Sequence, residues 1–319
     1  MNKMIVIFLI PIVFLSAFVL ADENGGITGF DFLRTDAGAR PAAMGGAFVA
    51  VSADLYGLTY NPAGLVNVPD MLGTFSFVDQ LLDINSGFAG FNKLLNNGSR
   101  IFAGIYYTSY GEFRRTDASG QDLGSFTSGD LMISAGYADS LSVGLRYGAT
   151  AKYIYSKIDD YTAGAVAVDL GVIYRLHNQN LNLGLSVTNL GTSVKSFVDT
   201  HEKLPLSYRF GISKRLAHLP LLLNFDFIRY HHTPSNIFLG LYWALGGEFT
   251  ITENFFLRGG YNSRGREEEA GTSTDRFRGI SLGFGLQFGR FNLDYGFSTY
   301  GVLGNMNRFT LTIDFQSFR

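Results

Sequence analysis

Two adjacent histidines, His231 and His232, are the residues whose type and spacing come nearest to a metal site. Imidazole nitrogens bind zinc, copper and iron, but neither histidine has a carboxylate or another histidine at a usual ligand spacing. We therefore interpret the pair as part of a solvated loop. A Ser-His-Asp hydrolase would need a histidine within a strand, whereas His177, His201 and His218 fall in predicted turns or loops.

Composition narrows the chemistry further. The 319 residues include no cysteine, so disulfides, thiolate metal sites and thiol catalysis are absent. The sequence contains no Walker loop, no dinucleotide fingerprint and no calcium-loop pattern. A formal charge of −2 gives no reason to expect nucleic acid as a partner. We expect neither an enzyme nor a protein with a metal or organic cofactor.

Nine charged residues form the remaining candidate site. They alternate with apolar residues along predicted strands, and they are Arg146, Lys152, Asp169, Arg209, Asp226, Arg258, Asp294, Arg308 and Asp314. Because consecutive side chains of a strand point to opposite faces, all nine are predicted to face the inside of a barrel. Paired charges would keep this lumen polar and closed, and their mixed signs argue against a strongly ion-selective ring. On the lipid face, an arginine or lysine would cost about 2–4 kcal/mol at the midplane.

The strands that would position these charges show a clear alternation, for example in the residues from Leu141 to Tyr155, LSVGLRYGATAKYIY. The leucines, valine and tyrosines share one face, and Arg146 and Lys152 share the other. A soluble antiparallel sheet gives the same pattern, so one segment decides nothing. Its recurrence with an aromatic-rich apolar face favours an all-β fold, a transmembrane antiparallel β-barrel. The 29 Phe, 17 Tyr and 39 Gly suit interface girdles and turns.

About fourteen strands are predicted from this alternation. They lie near residues 71–79, 84–95, 99–110, 128–139, 141–157, 162–176, 180–190, 205–216, 219–230, 237–250, 254–263, 277–289, 290–299 and 305–316. The connections after residue 110 alternate between longer ones, such as 111–127, 157–162 and 190–205, and short ones, such as 139–140. Outer-membrane barrels have short periplasmic turns and longer outside loops, so we expect both barrel termini in the periplasm.

The first 21 residues predict a secretory signal peptide. Lys3 precedes an apolar run from Met4 to Phe18, and cleavage is expected after Ala21. An uncleaved anchor is disfavoured because polar residues follow at once. No cysteine can carry a lipid anchor, and no later stretch of about 18 apolar residues could form a helical span. With the strand pattern, these features predict the outer membrane of a bacterium.

Residues 22–69 alternate poorly and are predicted to form a hatch inside a barrel made of residues 70–319. Small residues dominate between Ala37 and Ala47, which lets backbone pack closely. A turn is predicted at Asn61, Pro62, Ala63 and Gly64, because asparagine caps, proline fixes φ and glycine permits positive φ. This turn is the candidate structural or gating element of the hatch.

A small-residue segment that ends in Asn-Pro-Ala-Gly-Leu, before fourteen strands, resembles the N-terminal hatch of FadL-like outer-membrane proteins. More of the chain resembles the PorV/PorQ branch of that superfamily. The matching stretches begin at Phe32 (FLRTDAGARPAAMGGAFVAVSAD), Tyr110 (YGEFRRTDASGQDLGSFTSGDLMISAGYA), Lys152 (KYIYSKIDDYTAGAVAVDLGVIY), Leu204 (LPLSYRFGISKRLAHLPLLLNFDF) and Glu253 (ENFFLRGGYNSRGRE), and they are distributed over most of the mature chain. The Leu204 stretch, the modest length and the arginine-rich loop are closer to PorQ than to PorV.

The PorV/PorQ resemblance implies a fourteen-stranded barrel with a hatch that serves type IX secretion. In that branch the outside loops bind secreted cargo or attachment-complex proteins, and the corresponding loops here are 111–127, 190–205 and 263–277. We favour this function from the sequence.

The alternative function is that of the FadL branch, a passive transporter of hydrophobic small molecules. Phe30, Phe32 and Phe48 would then line a path past the hatch. A continuous apolar tunnel would favour transport, whereas a lumen filled by paired Arg and Asp side chains would count against it.

Overall fold

The computed structural model describes residues 29–80, 84–198, 202–231, 241–266, 277–300 and 304–316. The predicted signal peptide and the first residues of the predicted hatch lie outside the described residues, as do His201 and His232. None of the helices in the described ranges is long and apolar enough to cross a membrane.

The described residues form a closed antiparallel barrel of fourteen strands, in which sequence neighbours pair and β1 closes the barrel against β14. The strands are β1 (Leu72–Asp79), β2 (Asn85–Leu94), β3 (Arg100–Thr116), β4 (Asp122–Ser142), β5 (Leu145–Ile158), β6 (Tyr161–Leu176), β7 (Leu181–Lys195), β8 (Ser207–Arg215), β9 (Leu221–Tyr230), β10 (Leu241–Thr252), β11 (Phe255–Asn262), β12 (Ile280–Phe288), β13 (Phe291–Thr299) and β14 (Asn305–Asp314). The all-β fold class and the strand number predicted from alternation are confirmed.

The barrel has two distinct ends. The end that carries the β1–β2 hairpin and every second hairpin after it is called the loop end. The opposite end carries the β2–β3 hairpin and its counterparts together with Met71 and Phe315, and it is called the turn end.

Alternation along the strands separates an apolar outer face from a polar inner face. On β5, Arg146, Thr150 and Lys152 are buried, whereas Tyr147 and Tyr153 on the other face are exposed. Other strands expose large apolar residues on the outside in the same way. Such a surface suits contact with lipid.

The predicted loop 111–127 is instead a β-ribbon. β3 continues to Thr116 and β4 begins at Asp122, and the rings of Phe113 and Phe126 stack across the two strands with centroids 5.4 Å apart. This ribbon, residues 110–127, is called the projecting hairpin, because β2 and β5 pair with β3 and β4 no further than its base. Water contacts both of its faces, so its sequence does not alternate and the pattern missed it.

The predicted connection 157–162 is wrong as a longer loop, because only two residues separate β5 from β6. Asp159 has a φ of 56°, in the left-handed region that two-residue hairpin turns require. β7 likewise extends to Lys195, into the predicted loop 190–205.

The turn predicted at 139–140 lies at Val143–Gly144, where Gly144 has a φ of 86°. Leu141 therefore belongs to β4 and not to the strand that contains Tyr155. The predicted alternation of long and short connections does not hold at every hairpin, and the strand pattern alone carries the barrel assignment.

Residues 29–69, here called the N-terminal segment, lie inside the barrel. They form two short helices, α1 (Ala39–Ala43) and α2 (Gly57–Tyr60), and two 3-10 helices, Asp31–Arg34 and Pro62–Asn67. Helix α1 packs on β11–β14, and the second 3-10 helix packs on β4–β6. Two more 3-10 helices, His177–Gln179 and Ser263–Arg266, lie between strands. The division of the chain at residues 21/22 and 69/70 stays a prediction.

Candidate functional site in the barrel lumen

Eight inward-facing glycines bring the N-terminal segment into close contact with the wall. They form what we call the glycine belt, and they are Gly148, Gly171, Gly184, Gly211, Gly246, Gly260, Gly283 and Gly296. A Cβ at Gly148 would lie 2.6 Å from the Pro62 carbonyl carbon, and one at Gly296 would lie 2.5 Å from the Ala39 oxygen. Any larger residue at these positions must displace the segment or the strand.

The belt follows the segment in order. Ala39 lies at Gly296 on β13, Met44 at Gly260 on β11, Val49 at Gly184 on β7, and Pro62 at Gly148 on β5. From Ala39 to Val49 the segment therefore follows the inside of the wall from late strands to earlier ones. The hydroxyl of Tyr56 then contacts Ser76 of β1 and Thr310 of β14, so the segment crosses the lumen before it reaches β5. This fit explains why small residues dominate both the segment and the facing positions.

The predicted Asn61–Gly64 turn is the beginning of the second 3-10 helix. The Asn61 side chain accepts from the Ala63 N–H at 3.1 Å, and its amide nitrogen donates to the Val49 carbonyl at 2.9 Å. The same nitrogen lies 3.2 Å from the Val172 carbonyl oxygen of β6. Gly64 approaches the Val51 carbonyl, which a Cβ would meet at 2.7 Å. Asn61 thus ties two parts of the segment to the wall.

A chain of ion pairs joins the segment to β10, β11 and β13. Arg40 of α1 donates to both oxygens of Glu248 at 2.7 and 2.8 Å and to Asp54 at 2.8 Å. Arg258 donates to Glu248 at 2.8 Å and to Asp294 at 2.6 Å. Arg258 and Asp294, two of the nine predicted lumen charges, therefore form an ion pair that is one part of a larger network.

Three members of that network were missed from the sequence. Arg40 and Asp54 lie in the segment that does not alternate, so no face could be assigned to them. Glu248 follows Gly246 and Gly247. Because glycine has no side chain, these two positions do not indicate which face of β10 points inwards. The alternation of Trp243, Leu245 and Phe249, which lie on the outer face, was the sequence signal that could have placed Glu248 inside.

A second pair lies on β5 and β6. The Lys152 ammonium is 2.5 Å from an Asp169 oxygen and donates to the Asn189 side chain at 2.9 Å. Asn189 has a φ of 61° and donates its backbone N–H to Asp169 at 2.7 Å. These contacts stay within the wall, so they satisfy buried charges without holding the segment.

Asp226 holds the segment through its backbone. One carboxylate oxygen accepts from the N–H groups of Phe48 and Val49, at 2.6 and 2.9 Å. The residue is fully buried on β9. Its predicted place in the lumen is correct, but its partners are backbone amides and not a cation.

Three predicted arginines contact the segment or its neighbourhood without an ion pair. Arg308 donates to the Asp36 carbonyl at 2.8 Å, and Arg146 lies against Asn67, whose amide oxygen faces its two terminal nitrogens at 2.8 and 2.9 Å. Arg209 donates to the Ser207 hydroxyl at 3.0 Å.

Asp314 is the ninth predicted lumen charge, and it stands apart. It occupies the last position of β14 at the turn end, is half-buried, and accepts from the backbone N–H of Gln316 at 2.9 Å. It is not part of the ion-pair chain.

A buried apolar cluster lies on the lumen side formed by β2–β4. Phe88, Phe102 and Met132 of the wall join a buried cluster with residues of the segment, among them Leu58. Phe30, Phe32 and Phe48 also belong to this cluster. All three are at most 7% exposed, so no open path runs along them in this structure, and their role as lining of a path stays a prediction.

A cavity of about 250 Å³ lies at the loop end, between the N-terminal segment and β8–β14, and is called the loop-end cavity. Its lining includes Arg34, Tyr60, Arg209, Tyr230, Tyr242 and Arg264. Burial raises the pKa of the Tyr60 phenol well above its usual range, and the phenol donates to Asp36.

The histidines form no site in the described ranges. No group of three potential metal ligands occurs there. His231 directly follows β9 and packs edge-on to Tyr208, and His177 belongs to an exposed 3-10 turn. His232, the other half of the predicted loop pair, lies outside the described residues.

Comparison with solved structures shows what the fold is similar to. The toluene transporter TodX of Pseudomonas putida superposes with a TM-score of 0.60 at 14% identity, over 86% of this chain and 96% of that chain. The toluene transporter TbuX of Ralstonia pickettii gives 0.58 at 14% identity, over 86% and 96%. A FadL homologue of Pseudomonas aeruginosa gives 0.54 at 10% identity, over 88% and 98%.

These similarities establish the FadL-like barrel fold, the fold of outer-membrane hydrocarbon channels. No protein-family model matches the chain, and no curated protein does. The resemblance to the PorV/PorQ branch therefore stays a prediction, and the comparisons give no support for type IX secretion.

Proposed function

We propose that this chain is an outer-membrane channel for small hydrophobic molecules and that its N-terminal segment is the hatch that closes it. The observation that carries the proposal is the loop-end cavity, which lies between this segment and the wall and is lined by four tyrosines. A solute that enters from the loop end meets the segment there. The likeness in fold to toluene transporters supports this function over the secretion function that the sequence favoured.

The described lumen is in a closed state. Buried Arg, Asp and Glu pairs fill the side of β9–β14, which counts against a permanently open tunnel. Passage therefore requires the segment to separate from part of the wall. The loop-end cavity already separates the segment from the wall on this side, so we assign this movement to the β9–β14 side.

Location and orientation belong to the same proposal. The fold supports placement in an outer membrane with lipid around the barrel, and export through the signal peptide would deliver it there. The loop end, with the projecting hairpin and the cavity, would face outside, and both barrel termini would face the periplasm.

Uptake of radiolabelled toluene by a host that lacks its own hydrocarbon channel tests the function. Cells that carry the folded chain in the outer membrane should take up toluene severalfold faster than cells with an empty vector. An unchanged rate, with the barrel present as a heat-modifiable band, would contradict the channel.

Replacement of Gly64 tests whether the segment gates. Gly64→Val should push the turn away from Val51 and raise the conductance to small ions in planar bilayers. Gly259→Val is the matched control, because a Cβ there meets only Leu282 at an ordinary 3.8 Å. Equal conductance of the two variants would defeat the gating role.

A second candidate function is docking of a secreted protein, as the PorV/PorQ resemblance implies. The projecting hairpin favours it, because its stacked Phe113 and Phe126 and the cation–π contact of Arg115 with Phe126 stand beyond the barrel. Replacement of residues 111–127 by a short glycine-serine turn should then leave proteins with type IX signals unattached. Normal export and attachment in that strain would remove this candidate.

A further inference from the structure

An apolar groove of about 610 Å³ lies on the outer face of the barrel, across β1–β4. Its floor on β2 is Ala89, which pairs in register with Phe75 of β1 and Ile105 of β3. A small residue between two large ones leaves a trench whose walls are two strand spacings apart, roughly 9–10 Å. We call this the outer groove, and its lining includes Gly73, Phe75, Ala89, Phe91, Ala103 and Ile105.

The position of the Phe91 ring keeps the outer groove open along β2. The ring centroid lies 6.3 Å from that of Phe315, and Phe315 covers Gly73, where a Cβ would meet its ring at 2.7 Å. On the other side of β2, Phe91 pairs in register with Ala103, which carries only a methyl group. The groove therefore continues past Phe91 over Ala103, towards the turn end.

The rims of the outer groove face the surroundings of the barrel. Phe75, Phe91 and Ile105 are 49%, 41% and 44% exposed, and the groove has no charged residue among its described lining. In a membrane this surface contacts acyl chains. A trench covers more of the surface of a single hydrocarbon chain than a flat wall does, so a chain in it gains more dispersion contacts.

A lysine stands where the outer groove approaches the turn end. Lys93 follows Phe91 by two positions on the same face of β2, roughly 7 Å away, and it is exposed. Within the described part of the chain its ammonium forms no ion pair and no hydrogen bond. The nearby Asp70 carboxylate accepts from the Leu94 N–H at 2.7 Å. A lysine at the end of an apolar surface reaches the level of the lipid head groups and attracts their phosphates.

We propose that the outer groove binds one acyl chain of a phospholipid whose phosphate pairs with Lys93. This inference rests on the membrane placement that belongs to the proposed function, but not on what the channel carries. With the turn end towards the periplasm, the lipid belongs to the leaflet next to the periplasm. A phospholipid is favoured over a second copy of this chain because the trench is one strand wide and its charged end complements a phosphate.

Native mass spectrometry of the purified full-length barrel tests the inference. The barrel in detergent would be incubated with dioleoylphosphatidylglycerol or with dioleoylglycerol, which has the same two chains and no phosphate. After removal of the detergent, the barrel should retain one phosphatidylglycerol and about fivefold less diacylglycerol, as one lysine near a lipid phosphate predicts. Absence of retained phosphatidylglycerol would overturn the site, and equal retention of the two lipids would overturn the pairing with Lys93.

Two variants locate the acyl chain in the groove. Ala89→Phe fills the floor and should abolish retention of both lipids. Ala151→Phe is the matched control, since Ala151 is an exposed alanine on the outer face of β5 and does not line the groove. If Ala89→Phe fails to give the heat-modifiable band of a folded barrel, Ala103→Phe makes the same comparison. Equal retention by a folded groove variant and by Ala151→Phe would overturn the groove as the site.

A lysine variant locates the phosphate. Lys93→Gln should lower retention of phosphatidylglycerol about fivefold and leave that of diacylglycerol unchanged. Lys157→Gln is the control, because Lys157 is an exposed lysine of β5 at the loop end. Equal retention of phosphatidylglycerol by the two variants would contradict the role of Lys93.

The remaining outcomes separate this inference from its rivals. A dimer of barrels that Ala89→Phe disrupts would assign the groove to a second copy of this chain and remove the lipid. Toluene uptake by a barrel that retains no phosphatidylglycerol would keep the channel and remove the lipid site. Retention that depends on Ala89 and Lys93, in a chain that takes up no toluene, would keep the lipid site and count against the channel.

Discussion

On the side of β2–β4, the N-terminal segment meets Phe88, Phe102 and Met132, whereas on the side of β9–β14 it meets Asp226, Glu248 and Arg308. We call these the apolar side and the charged side. Apolar burial is non-directional and worth about 25 cal/mol per Å², so it tolerates small shifts. Buried charges are costly without their partners, so a small shift of the segment on this side would break its ion pairs and hydrogen bonds.

This difference assigns different tasks to the two sides. Under the proposed channel function, the apolar side would keep the segment within the barrel when it moves. The charged side would supply the contacts whose loss opens a path, and the loop-end cavity lies next to it. The following substitutions would break or sharpen this division.

The largest effect is expected from Glu248→Leu on the charged side. It leaves Arg40 and Arg258 without their shared carboxylate, and loss of one partner of a buried ion pair costs about 3–5 kcal/mol. The free energy of unfolding, measured by guanidinium titration in detergent, should fall by this amount. The conductance to small ions in planar bilayers should rise. Glu253→Leu, in the exposed turn after β10, is the control and should change neither.

Leu58→Ala probes the apolar side. Leu58 is 1% exposed, and truncation of a buried leucine costs about 2–5 kcal/mol. We expect lower stability in the same unfolding experiment but wild-type conductance, because the charged contacts remain. A leak as large as that of Glu248→Leu would abolish the distinction between the two sides.

Two neighbouring glycines on β11 provide a sharper test of the wall contact. A Cβ at Gly260 would run into the backbone at Met44 and Gly45, whereas one at Gly259 points outward and meets Leu282 at 3.8 Å. Gly260→Ala should destabilise the barrel by about 1–3 kcal/mol through overpacking. Gly259→Ala should be nearly neutral, and equal losses for both would mean that the belt is not a contact surface.

The smallest effect is expected at the projecting hairpin. Arg114 and Asp122 form an ion pair at 2.9 Å with both side chains more than half exposed. Arg114→Ala should cost about 0–1 kcal/mol, the range of surface salt bridges. A loss comparable to that of Glu248→Leu would show that burial is not what gives the charged side its strength.

Strands were predictable where one face meets lipid and the other meets the lumen. β14 illustrates this, because Arg308 and Thr310 alternate with Phe309 and Leu311, and both buried polar residues do face inwards. The projecting hairpin was not predictable, since water contacts both of its faces and no alternation results. Arg40 and Asp54 were not predictable for a related reason, because a compact irregular segment carries no periodic signal that assigns a face.

The sequence predicted which residues face the lumen better than it predicted their interaction partners. Lys152 and Asp169 were placed in the lumen and do pair, but Asp226 binds backbone amides and Arg308 a backbone carbonyl. Periodicity indicates which face a residue occupies. It does not indicate what the opposite surface of the lumen presents, and here that surface is the segment itself.

The direction in which the segment circles the wall has a consequence for assembly. Ala39 donates to Thr310, 271 positions along the chain, and the residues up to Val49 then meet progressively earlier strands. Contacts of such long sequence separation form slowly. Until β14 is in place the segment has no complete surface to dock on. We therefore expect the segment to dock only after β14 has closed the barrel.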